Sequence, residues 1–385
     1  MGRWGPTAFV LAGLALIDHH CHGVVPDVAD RDAFELLVNE GFDPPPAGTT
    51  HIDAPAGLSV LRWCPPILGL AAMASAKDYL ARRAELGGDE VNRRLLGACG
   101  LEAMYVDTGY RSAELLDVAA MGEAAGAVAR PVVRVEAVME SLAAREVEAA
   151  VFPAALQEAL WKATEDAVGL KSIVAYRGGF ELDPERPSHD EAVEAAGGWF
   201  RQLPSAPYSA PRVVDPVLLR LGLWTAAAVA AERGMPIQLH SGFGDPDLTI
   251  HLANPSVATW FVRATAGLGV NVVFLHCYPY HREAAYLAAV MPNAYFDLGA
   301  SLNYVGPGAP SLMAEALELA PFSKHLFSTD AFGLPELYLA GTMQFRSSLA
   351  AVLDGWVAEE RCTADAAERI ARMIGRENAL RIYPP

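Results

Sequence analysis

Leu16-Ile17-Asp18-His19-His20-Cys21-His22-Gly23 is the stretch whose reading decides the fold. It ends an apolar run, Phe9–Ile17, and sets three histidines and an aspartate within five residues. On an extended strand successive side chains alternate faces, so His20 and His22 point the same way. Two imidazoles on one side of a strand end are well placed to grip one metal ion. A lone histidine there would more often be ordinary packing, so the weight of the motif depends on what the rest of the chain supplies.

Working outward, the 385-residue chain is long enough for one large core or two ordinary ones. Its 52% hydrophobic and 19% charged residues mark a globular chain. A net charge of −17 with no offsetting basic tract argues against nucleic acid or an anionic membrane surface as partner. It says little about a substrate, because local arginines can reverse the field inside a cleft. The five cysteines, Cys21, Cys64, Cys99, Cys277 and Cys362, are odd in number and form no C-x-x-C pair, which fits a reducing cytoplasm. Phe9–Ile17 could pass for a short signal-peptide core. Its single flanking Arg and a cleavage match that would cut into the metal strand lead us to expect none. No segment offers the roughly 18 apolar residues of a membrane span.

From Leu101 a rhythm sets in. Apolar runs at Leu101–Asp107, Pro131–Met139, Val168–Ala175, Met235–Ser241, Val270–Cys277, Ala294–Gly299 and His325–Asp330 join Ala15–His20 to make eight. Helical patterns separate nearly all of them: Ser112–Ala129, Ala143–Ala167, Val217–Arg233, Ser256–Ala266, Arg282–Val290, Ser311–Leu319 and Leu334–Leu353. Near-continuous apolar strands alternating with helices indicate a parallel sheet covered by helices. Eight such units predict an α/β fold of the (β/α)8 TIM-barrel type, one domain over residues 1–385. Between the first two runs, Arg31–Glu40 reads as a short helix, Gly41–Pro66 as a long loop, and Leu68–Leu86 and Gly88–Cys99 as helices. Roughly residues 41–99 are thus a mostly helical insertion able to roof a site. Thr363–Ile382 reads as a closing helix.

Barrel sites lie at the carboxyl ends of the strands, and the polar residues fall there repeatedly. Run five ends in His240-Ser241-Gly242, run six in His276-Cys277-Tyr278, and run eight in Ser328-Thr329-Asp330. Neutral imidazoles and a carboxylate suit Zn²⁺ or a similar divalent ion, and an open position would hold water. Such water becomes a hydroxide nucleophile near neutral pH, and a carboxylate beside it can move its proton to a leaving group. Asp330 is the candidate for that role. Lys171, in an apolar strand, has two readings. If the strand ends near Ser172 it stands at the mouth, where carboxylation by CO2 would let it bridge two metal ions; if the strand runs on to Tyr176 it is a buried ion-pair partner.

Together Leu16–Gly23, Val168–Lys171, His240, His276 and Asp330 resemble the amidohydrolase superfamily. More narrowly, Ile17–Val25, Glu90–Gly109, Lys171–Phe180, Gln238–Pro255 and Ser328–Glu336 are similar to the FluG-like metal-dependent hydrolases. These are relatives of the amidohydrolase domain fused to glutamine synthetase in some proteins. The resemblance implies a metal centre of His20, His22, Lys171 as carbamate, His240, His276 and Asp330, holding one divalent ion or two, with zinc expected from the donor set. It implies a hydrolase that cuts an amide-type C–N bond by attack of a metal-bound hydroxide. A γ-glutamyl-type or other carboxylate-bearing small molecule is the expected substrate, with Arg177 binding the carboxylate or else serving an ordinary salt bridge. The alternative is a mononuclear lyase or decarboxylase of the same superfamily, with His276 as acid and base, and a non-catalytic scaffold is the third reading. A homo-oligomer is also conceivable. Asp18, His19 and Cys21 are expected to support the ligands, Asp297 to support them or to take part in catalysis, and Asp245 and Asp247 to form turns or, less often, to contact substrate. His51, in the insertion, could reach the cleft but is expected to be ordinary, and His189, His251, His281 and His325 to be ordinary surface or helix residues.

Overall fold

A computed structural model describes residues 5–28, 30–203 and 211–385. Seven strands form one parallel sheet in sequence order: β1 Leu16–Cys21, β2 Leu101–Asp107, β3 Val128–Arg134, β4 Gly169–Ser172, β5 Ile237–Ser241, β6 Val272–His276 and β7 Ala294–Phe296. Every residue of β1, β4, β5, β6 and β7 is buried, as parallel strands covered on both faces require. The sheet curls, with helices such as Pro216–Arg233 and Pro335–Ala358 following its strands. Asp215 starts the first of these by accepting from the backbone N–H of Val217 and Leu218, and Gly234 at φ 66° ends it.

The eighth apolar run, 325–330, forms no regular strand. It still makes a parallel bridge from His325 to Phe296 of β7. On its other side the His19 N–H donates to the Phe327 carbonyl at 3.2 Å, and the Asp330 N–H donates to the His20 carbonyl at 3.0 Å. Asp330 itself has φ 48°, a left-handed backbone that breaks the strand and turns its side chain.

Other boundaries moved for identifiable reasons. Pro131–Met139 is not one strand: β3 ends at Arg134 and a helix, Val135–Ala144, begins at once. Val135, Met139 and Leu142 bury at helical spacing, a period that the run of valines before them conceals. Part of the expected 41–66 loop is helix, Pro55–Ile67, opened by Pro55 and ended by Pro65 and Pro66. The Leu61 carbonyl, which Pro65 cannot reach with an N–H, accepts from Met73 at 2.8 Å instead. Helix His189–Gln202, missed in the sequence, carries a capping box in which Ser188 and Glu191 each bond the other's backbone.

Ile17, Tyr105, Val132, Val273, Leu275 and Leu326 pack with Ile382 and Tyr383 of the C-terminal segment, so the end of the chain sits against the sheet beneath the histidines. Among the described residues no helix is long and apolar enough to cross a membrane.

Candidate metal centre

The strand ends bring the expected ligands together. β4 ends at Ser172, so Lys171 stands at the mouth and lines a cleft of about 320 Å³ with His22, His240 and Asp330. Asp330 is the hub. Its Oδ1 lies 3.0 Å from His20 Nε2 and 3.4 Å from His22 Nε2, and its Oδ2 lies 3.3 Å from His276 Nε2. The His240 ring centroid is 4.7 Å from that of His276.

The tautomer of His20 follows from its neighbours. Gln238 Nε2 donates to the His19 carbonyl at 2.7 Å and to Tyr383 Oη at 2.9 Å, which orients Oε1 toward His20 Nδ1 at 2.8 Å. A carbonyl oxygen only accepts, so Nδ1 carries the proton and Nε2 presents its lone pair to the cleft. Two acceptors, His20 Nε2 and Asp330 Oδ1, therefore face each other at 3.0 Å. Buried atoms without a hydrogen-bond partner gather around them: His22 Nδ1, His240 Nε2, both nitrogens of His276 and Asp330 Oδ1. Such orphans are rare in folded proteins, and a bound cation would satisfy those that face Asp330 and the cleft. The donor set, imidazoles and one carboxylate, is the chemistry of a borderline divalent ion. His20, His276 and Asp330 offer ligand atoms mutually within 4.8 Å, as do His20, His22 and Asp107.

Electrostatics point the same way. Burial pushes His20 down to about 3 and His276 down to about 4, and holds His240 well below the ordinary imidazole value, so all three are neutral donors. Burial also lowers Lys171 to about 8.

Backbone strain is concentrated here. His276 and Cys277 have φ of 66° and 60°, and Asp330 of 48°. Non-glycine residues in this region cost energy and persist where the surroundings over-determine them. Gly244 approaches so closely that a Cβ would lie 2.9 Å from His240 Nε2 and overlap the Tyr176 hydroxyl.

Three comparisons with known proteins agree with this geometry. The amidohydrolase family model matches residues 100–384, most of the chain. The chain belongs to the amidohydrolase family. Protein fluG of Emericella nidulans is 29% identical over 96% of this amidohydrolase, which spans 45% of that protein's length. A crystal structure of a candidate metal-dependent hydrolase from Lactobacillus casei superposes with a TM-score of 0.86 at 29% identity, covering 99% of this chain and 98% of that one. A uronate isomerase from Bacillus halodurans, 13% identical with a TM-score of 0.62 over 98% and 95% of the two chains, shares the fold.

The other named residues fall as follows. His19 and Asp297 support the amidohydrolase site from behind: His19 Nε2 lies 2.8 Å from Asp297 Oδ2, and Asp297 Oδ1 accepts from the His276 N–H at 2.6 Å. Asp18 accepts from the Thr329 N–H and hydroxyl at 3.0 and 2.5 Å, tying β1 to the Asp330 turn. Arg177 lines the cleft and pairs through Nη2 with Glu140 at 2.9 Å. Sequence reasoning missed Asp107, Arg134, Gln238 and Tyr383. Asp107 and Arg134 end β2 and β3, the same positional signal that found the histidines; the expected run Pro131–Met139 hid Arg134, whereas Leu101–Asp107 ended at Asp107 and the residue was passed over. His325 is not a surface residue: it is 2% exposed and stacks on Phe296.

Proposed function

We propose that this amidohydrolase is a metal-dependent enzyme that hydrolyses an amide-type C–N bond in a small molecule. The observation that carries the reading is the facing of His20 Nε2 and Asp330 Oδ1 at 3.0 Å with no proton to share, amid orphaned imidazole nitrogens. His20, His22, His240, His276 and Asp330, with Lys171 as a carbamate formed from CO2, are the residues that would hold one or two divalent ions, zinc suiting the donor set. Such an ion, when bound, would supply Lewis-acid polarisation of a substrate carbonyl and would lower the pKa of water toward neutral.

The chain's own groups do the rest. Asp330 accepts a proton from the attacking water at its carboxylate and passes it to the departing amine nitrogen. His276, with Nε2 3.3 Å from Asp330 Oδ2, lies beside that transfer. Unmodified, Lys171 Nζ sits 3.0 Å from His20 Nε2 and donates to the lone pair a metal would use. Carboxylation replaces that competing cation with an anionic ligand. Arg177, on the cleft wall, fits a carboxylate-bearing or γ-glutamyl-type substrate. We read the sheet and segment 325–330 together as a (β/α)8 barrel, a single domain with residues 41–99 as a helical insertion over its mouth. The five free cysteines support a reducing, cytoplasmic setting.

The test is a screen of amides, γ-glutamyl amides and lactones with metal-loaded protein, run beside Asp330→Asn. Amine release that falls about 10²- to 10⁴-fold in the variant supports the reading. Release of CO2 from carboxylated compounds with no amine release from any amide would replace it with a lyase.

A further inference from the structure

Arg134 is the last residue of β3 and is only 9% exposed, yet it lines the cleft. One edge of its guanidinium is fixed: Nε and Nη2 both donate to Asp107 Oδ2, at 3.0 and 2.6 Å. Asp107 is fixed in turn, because its Oδ1 accepts from the Gly109 N–H at 2.8 Å. Gly109 packs so tightly on the arginine that a Cβ would lie 2.8 Å from its Cδ and 3.0 Å from its Nε. The ring of Tyr110 lies 5.5 Å from the guanidinium carbon. Of five guanidinium N–H groups, these bonds use two, and the Nη1–Nη2 end keeps a two-pronged donor set that matches a carboxylate.

The other cleft arginines are placed differently. Arg212, 45% exposed, pairs with Asp247, and Arg111, 42% exposed, pairs with Glu114 at the rim. Arg177 is bound to Glu140 and buries its Nε without a partner. Arg134 is joined to the candidate metal centre through Asp107, a carboxylate oxygen of which is within 4.8 Å of ring nitrogens of His20 and His22.

We propose that the Nη1–Nη2 end of Arg134, held edge-on by Asp107, is an anion subsite beside the metal centre that takes a carboxylate of the substrate. The inference rests on the hydrolase reading and narrows its substrate class. The carboxylate recognised lies a few bonds from the cleaved carbonyl, not at the far end of a long chain. Lysine does not replace the group, because its ammonium lacks the planar fork that holds Asp107 along one edge and a carboxylate along another.

Calorimetric titration of the full-length, metal-loaded protein with glutarate tests this, with glutaramide as the uncharged control. Metal content and melting temperature are measured for every variant. We expect the wild type to bind glutarate, and both Arg134→Lys and Arg134→Gln to bind it about tenfold or more weakly with metal retained, the loss of a charge-assisted pair. Glutaramide binding should be weak in all three, and Arg177→Gln should weaken glutarate less than either Arg134 variant does. Absence of glutarate binding by the wild type overturns the proposal. So does unchanged binding in Arg134→Lys, or a loss of metal that accompanies the loss of glutarate, since the arginine then acts through the ligands. Turnover is not read, so an inactive protein that still binds glutarate through Arg134 would sink the hydrolase reading and leave the subsite standing.

Discussion

Gln238 Oε1 accepts the Nδ1–H of His20 at 2.8 Å, and this one bond decides which nitrogen of His20 faces the cleft. Gln238 is in turn held by the His19 carbonyl and by Tyr383 Oη, so the C-terminal segment reaches the metal centre through two hydrogen bonds. Groups that fix the tautomer of a metal-ligating histidine tune affinity without touching the ion. Gln238→Leu should therefore lower divalent-metal affinity about 10- to 100-fold while the fold survives. Competition with a chromogenic chelator measures it, and an unchanged affinity would remove Gln238 from the site.

His325 gives a pH prediction. Burial pushes it down to about 4 from the ordinary 6.5, with Asp297 opposing. A folded-state pKa below the unfolded one means the unfolded chain binds more protons between those values, so stability is lost as pH falls from about 6.5 toward 4. His325→Gln should flatten that limb. Melting temperatures from pH 4 to 8 for both proteins check it, and parallel curves would contradict it.

The helices before β2 are tied to helix Pro335–Ala358 by a buried ion pair. Glu336, fully buried, accepts from Arg83 Nε at 2.6 Å and from Tyr79 Oη at 2.7 Å. Glu336→Gln leaves the Arg83 guanidinium buried and unmatched, which should cost about 3–5 kcal/mol. Urea unfolding reads the loss, and a change below about 1 kcal/mol, the range of exposed pairs, would show that the contact contributes little.

The candidate positions were legible where an apolar run ends in polar residues, as at His20, His22, His240, His276 and Asp330. Lys171 was less so, because it lies inside the expected run Val168–Ala175, of which only Gly169–Ser172 is strand. What supports them was not legible. Gln238 reaches His20 across 218 residues, and Tyr383 reaches Gln238 across 145, contacts that only the folded sheet creates. Arg134 was hidden by a local ambiguity, since Val132, Val133 and Val135 read as one strand although the helix starts at Val135. Segment 325–330, expected as an eighth strand, forms no regular strand: it bridges Phe296 of β7 and bonds His19 and His20 of β1, and the left-handed Asp330 ends it.

The central claim is that these side chains hold a divalent ion, and metal analysis tests it most directly. Protein equilibrated with Zn²⁺ or Mn²⁺ and then desalted should retain at least about one ion per chain, and His20→Ala and Asp330→Asn should each lose it while remaining folded. A wild-type protein that retains none, or a His20→Ala variant that retains as much as the wild type, would contradict the account.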